Sequence, residues 1–143
     1  MATARVMAGD GFKICSGHGF HMRVNGWVFS VQFGTGNYCA NRGKDEGVGA
    51  GEEWVLVNVN QVNVNRKLYF RPMECGDAEV ALWRDVPAGE EASLEQMTNG
   101  DTVCGGVSAV QVAWILGVLS NPGYGYEAVM GRVKMILSGG SQK

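Results

Sequence analysis

The sequence predicts an α+β domain: an antiparallel sheet in the N-terminal two-thirds with two C-terminal helices packed on one face. Three observations carry this. Apolar residues alternate on either side of Asn25-Gly26. Further strand-like runs continue to Trp83. After Ser108 the apolar period lengthens to that of helices. A chain of 143 residues suits one domain and can bury a core without disulfides or a metal. Within it, residues 1–19 read as a loose lead-in, 20–83 as mainly β, 108–137 as helical and 138–143 as a disordered tail.

The lead-in ends in the turn-like Cys15-Ser16-Gly17-His18-Gly19. Residues 20–24 and 27–33 then flank Asn25-Gly26, the strongest short-range hairpin signal, because a type I′ turn needs positive φ at both central residues. A two-residue loop pairs Val24 with Trp27, Met22 with Phe29 and Phe20 with Val31, all apolar and all on one face. The other face carries His21, Arg23, Val28, Ser30 and Gln32, so a one-residue slip would break the pattern. Residues 34–53 are a long loop whose second half, from Lys44, is charged and glycine-rich. Residues 54–59 alternate again and run into Val-Asn-Val-Asn-Gln-Val-Asn-Val-Asn at 57–65, which reads as one long strand or as two short ones around Asn60-Gln61. Leu68 to Phe70 continue the sheet until Pro72, which ends the run or places it at an edge. Residues 79–83 form a further strand, and Pro87 and Gly89 mark a turn.

Ser108 and Gln111 have the spacing of a capping box. The run from Val110 to Leu119 is apolar on most sides, which predicts a well-buried helix. Asn121-Pro122-Gly123 stops it. A second helix spans about 126–137, with Val129, Met130, Val133, Ile136 and Leu137 as its apolar stripe and Glu127, Arg132 and Lys134 outside.

Apolar residues make up 45% and charged residues 18%, which excludes a disordered chain. The 22 glycines, about twice the usual share, point to tight turns and irregular loops. A net charge of −2 is not that of a general nucleic-acid binder, and it is too mild for an acidic DNA mimic. No segment reaches the roughly 18 apolar residues that span a bilayer, so no membrane association is expected. Residues 1–12 carry no apolar signal-peptide core, and the four cysteines fall in no disulfide framework. Together these predict reduced thiols in a cytoplasm.

The candidate site is the segment from Gln32 to Arg42, QFGTGNYCANR. Its ligand-binding residues are Gln32, Gly34, Thr35, Gly36, Asn37, Tyr38, Asn41 and Arg42. Glycines let a backbone approach a ligand, and consecutive N–H groups form anion nests. Arg42 suits a phosphate or carboxylate, and Tyr38 suits stacking on a base. The plainer reading is a structural turn in which the asparagines bond their own backbone. Gly34-x-Gly36 is not a dinucleotide fingerprint, since the third glycine and the following helix are missing.

Other chemistry is thin. Cys39 would be a nucleophile only with a base such as His21 beside it, and the reading leans against an enzyme, with no catalytic residue assigned. Cys15, His18 and His21 have ligand-type spacing, but Cys39, Cys75 and Cys104 stand apart, so no metal and no cofactor are expected. Glu52-Glu53 and Glu90-Glu91 read as solvated loop charge. The four tryptophans read mostly as core. The row Asn58, Asn60, Asn63, Asn65 reads as a solvent face, or as an interchain ladder.

The stretch NGWVFSVQFGTGNYCANR, residues 25–42, resembles a segment of small phage and prophage proteins of unassigned function. These carry an Asn-Gly-Trp hairpin, a Ser-Val-Gln strand and a Gly-Asn-Tyr-Cys…Asn-Arg loop. Glu79-Val80-Ala81-Leu82-Trp83 and residues 105–113 resemble later parts of that pattern, while the Val-Asn repeat and residues 121–143 fall outside it. The resemblance implies a small α+β domain in a phage setting, hence the host cytoplasm, and brings no activity with it.

The expectation that follows is a phage-type binding protein, an anti-defence sponge holding a nucleotide-like signalling ligand on the 32–42 loop. Tyr38 would stack, Arg42 would take the phosphate, and Gln32, Asn37 and Asn41 would meet base or ribose edges. The alternative is a protein–protein inhibitor or assembly factor acting on a host or phage protein, with no small-molecule ligand. A β-edge near Pro72 and the glycine-rich chain also leave room for a homo-oligomer.

Overall fold

The computed structural model describes residues 9–15, 18–34, 36–40, 42–43, 55–61, 64–70 and 75–139. Among the described residues, seven strands and two helices run in chain order. They are β1 (Gly11–Ile14), β2 (Gly19–Val24), β3 (Trp27–Gln32), β4 (Val55–Gln61), β5 (Val64–Phe70), β6 (Asp77–Arg84), β7 (Cys104–Ser108), α1 (Ala109–Leu119) and α2 (Tyr126–Leu137). Five of the strands form one antiparallel sheet in the order β1-β2-β3-β6-β7, and β4 and β5 pair as a separate hairpin. The α+β class is as the sequence predicts.

The β2–β3 hairpin has the predicted register, with Val24 opposite Trp27, Met22 opposite Phe29 and Phe20 opposite Val31. Asn25 and Gly26 hold φ of 50° and 79°, the left-handed pair that a type I′ turn demands. Across β6, Leu82 faces Phe29 and Val80 faces Val31, so the apolar face continues through the middle of the sheet. The helices bury this face with Ile115, Val118 and Leu119 of α1 and Val129, Met130, Val133 and Ile136 of α2.

Three expectations change. The lead-in contains a strand, since β1 pairs with β2 from Gly11 opposite Arg23 to Ile14 opposite Phe20. The second face of β3 is buried as well as the first: Val28 and Ser30 are both closed off from solvent. On that face His21 of β2 meets Trp83 of β6 edge-on, with ring centroids 5.0 Å apart, and the pair spans β3 between them. The third change concerns α1. It forms where expected, but only Ile115, Val118 and Leu119 are buried, and its far side faces solvent.

The Val-Asn repeat falls on two paired strands rather than one. Gln61 pairs with Val64, Asn60 with Asn65 and Asn58 with Lys67. Asn63, Trp54 and residues 44–53 lie outside the described residues, as do Pro72 and residues 140–143. Among the described residues, no helix is long and apolar enough to cross a membrane.

Candidate functional site

After β3, residues 36–40 lie against the starts of β6 and β7. The loop first closes on itself. The Gly34 N–H donates to Asn37 Oδ1 at 2.9 Å, and the Asn37 N–H returns a bond to the Gly34 carbonyl at 3.1 Å. It then attaches to the sheet through two carboxylates that lie two residues apart on β6. Glu79 accepts from Asn37 Nδ2 at 3.1 Å and from the Tyr38 N–H at 2.7 Å. Asp77 accepts from the Ala40 N–H at 2.6 Å. The Gly106 N–H of β7 donates to the Tyr38 carbonyl at 3.0 Å. A β-carbon on Gly105 would stand 2.5 Å from the Tyr38 carbonyl oxygen, so the close approach of loop to strand requires glycine there.

This geometry separates the candidate residues. Asn37, Tyr38 and Arg42 come together on the loop. Tyr38 is 58% exposed, and the Arg42 guanidinium lies over its ring, 3.8 Å from the centroid. Gly34 is buried and Gly36 exposed. Gln32 turns away along its own strand, where its amide donates to Ser30 Oγ at 3.2 Å. Thr35 and Asn41 lie outside the described residues. The expected anion nest is taken: the Tyr38 and Ala40 amides already hold the protein's own carboxylates. A free anion would have to displace Glu79 and Asp77 or sit beside their charge.

The base that a Cys39 nucleophile would need, His21, is turned elsewhere. His21 faces Trp83, where burial, then the charge of Lys13, lowers its pKa below the usual imidazole value. The imidazole packed against the loop is that of His18, on Gly34. Cys39 Sγ donates to the Gly34 carbonyl at 3.4 Å. None of the four cysteines is in a disulfide. Cys39 does not stand apart from the others, however: its sulfur, that of Cys75 and a carboxylate oxygen of Asp77 lie within 4.8 Å of one another.

A second surface lies on α1. The helix AVQVAWILGVL carries no charged side chain. Ala109, Val110, Ala113, Trp114 and Gly117 are exposed, with Val110 at 56% and Trp114 at 37%. Ala113, Trp114 and Gly117, with Val118, Asn121 and Tyr124, line an open groove of about 260 Å³. Its floor is low because residues 113 and 117, one turn apart, have almost no side chain.

No protein-family model, curated protein or solved structure matches this chain. Sequence reasoning missed Asp77, Glu79 and Cys75. The available signal was the alternation Asp77-x-Glu79, which puts two carboxylates on one face of a strand next to a glycine-rich loop rich in free amides.

Proposed function

We propose that this chain works by binding another protein through the exposed face of α1. The observation that carries the reading is a helix without charge whose apolar far side stays open. Helices that are apolar all round are buried in the finished structure, and contiguous exposed apolar surface marks interaction sites. A partner's apolar side chain fits the groove over Ala113 and Gly117, flanked by Trp114 and Tyr124. Burying such a side chain contributes about 1.5–3 kcal/mol. The resemblance of residues 25–42 to phage and prophage proteins favours a host or phage protein as the partner, which makes the chain an inhibitor or assembly factor.

The second reading, a nucleotide-like ligand, is favoured by one feature: Tyr38 and Arg42 form an exposed aromatic and cationic platform. It ranks second because the loop amides around it are already bonded.

One experiment addresses both. The full-length chain is isolated from its own cells and examined by native mass spectrometry, beside Ala113→Glu and Trp114→Ser. The expected result is one stoichiometric protein partner, lost in Ala113→Glu and weakened at least tenfold in Trp114→Ser, with the melting temperature unchanged in Ala113→Glu because that position faces solvent. A monomer that carries no protein, or a complex indifferent to Ala113→Glu, defeats the first reading. A bound mass of nucleotide size, lost in Arg42→Ala, would establish the second.

A further inference from the structure

We infer that Cys39, Cys75 and Asp77 form a binding site for a thiophilic divalent cation of the zinc class. Three ligand-type side chains converge there from two separate stretches, residues 36–40 and residues 75–77 at the entry to β6. One donor atom from each lies within 4.8 Å of the other two, and all three residues are half-buried. The edge of a tetrahedron around zinc with two sulfur ligands is about 3.8 Å, so modest side-chain rotation closes the set. Two thiolates with one carboxylate select zinc-like ions over magnesium or calcium, which take oxygen ligands.

The surroundings prepare the site. The Ala40 N–H donates to Asp77 Oδ1 at 2.6 Å, and Cys75 Sγ points at the same oxygen from 3.7 Å. A backbone donor therefore holds the carboxylate in place, as outer partners of metal ligands do. On binding, the two thiols lose their protons to solvent and two metal–sulfur bonds form. No oxidant or reductant is needed. Three protein donors leave a fourth position for water. Cys15, His18 and His21, whose spacing suggested ligands, do not join this group. Such an ion would pin the loop that presents Tyr38 and Arg42 onto β6.

The test uses the full chain, reduced and freed of metal, titrated with Co2+ and then Zn2+. The expected result is one equivalent of Co2+ with tetrahedral visible bands and a sulfur-to-cobalt charge-transfer band, displaced by Zn2+. Cys39→Ser and Cys75→Ser should abolish the charge-transfer intensity in part or whole, and Asp77→Asn should weaken binding at least about tenfold, because a neutral amide replaces an anionic ligand. Alkylation of the wild-type protein gives a measurement independent of variant folding. Zn2+ should protect Cys39 and Cys75 from iodoacetamide but leave Cys15 reactive. The inference is overturned by absence of bound cobalt, by a spectrum unchanged in Cys75→Ser, or by equal alkylation with and without Zn2+.

Discussion

Asn25 sits at φ 50° in the hairpin turn, and its Nδ2 donates to the Leu119 carbonyl at the end of α1, 2.8 Å away. The residue therefore serves the turn and also ties the hairpin to the helix layer. Helix ends leave their last carbonyls without intrahelical donors, and the last turn of α1 holds no basic residue to supply one. Two substitutions separate the roles. Asn25→Gly keeps the positive φ but removes the donor, and should cost about 1 kcal/mol. Asn25→Asp also tolerates the turn, but sets a carboxylate against the negative end of a helix. It should cost about 1–2 kcal/mol, partly recovered when acid protonates the side chain. Urea denaturation at neutral pH should rank wild type above Gly above Asp. An Asp variant as stable as the Gly variant would mean that the turn, and not the tie to α1, is what Asn25 contributes. The turn was legible in the sequence because its signal is local. The bond to Leu119 was not, since it joins residues 94 positions apart. The anchoring of Asn37 and Tyr38 by Glu79 was hidden for the same reason.

The elements that the sequence predicts well have signals inside themselves. The capping box of α1 is present in both directions: the Gln111 N–H donates to Ser108 Oγ at 3.1 Å, and the Ser108 N–H donates to Gln111 Oε1 at 2.9 Å. What the spacing did not show is a third bond, from Gln111 Nε2 to the Ile136 carbonyl at 3.0 Å, which joins the start of α1 to the end of α2. Ser108→Ala should therefore cost about 1 kcal/mol, the ordinary loss of a cap. Gln111→Ala should cost about 1 kcal/mol more, because α2 loses a donor at a part-buried carbonyl. In a chain of this size each step is about 3 °C in melting temperature, readable by circular dichroism. Equal losses would show that the link between helices carries no weight. Periodicity misled in the matter of burial: it reports that α1 is apolar all round, but not whether the chain has other elements to cover it. Asn99-Gly100 is a further case. It turns the chain with φ of 52° and 78°, the values of the Asn25-Gly26 turn, yet no alternating runs flank it to announce a hairpin.

Across the whole molecule, burial falls off along the apolar face of the sheet in one direction. The cross-strand row Leu82, Phe29, Met22, Phe12 runs from β6 to β1, and a second row runs Val80, Val31, Phe20, Ile14. Leu82, Phe29 and Val80 are fully buried, Met22 and Phe20 are half-buried, and Phe12 and Ile14 are 72% and 80% exposed. The two helices cover the centre and the β7 side, so the sheet continues beyond its roof. An edge strand with exposed apolar residues is a template for unwanted pairing. If the helices end where these burials indicate, replacing both residues with lysine, Phe12→Lys with Ile14→Lys, removes little native packing. The double variant should keep its stability within about 0.5 kcal/mol per site and aggregate more slowly on heating, by light scattering. A loss of several kcal/mol would show instead that Phe12 and Ile14 are packed in the folded protein. The α1 face would then be the larger apolar surface left for a partner, and β1 would belong to the core.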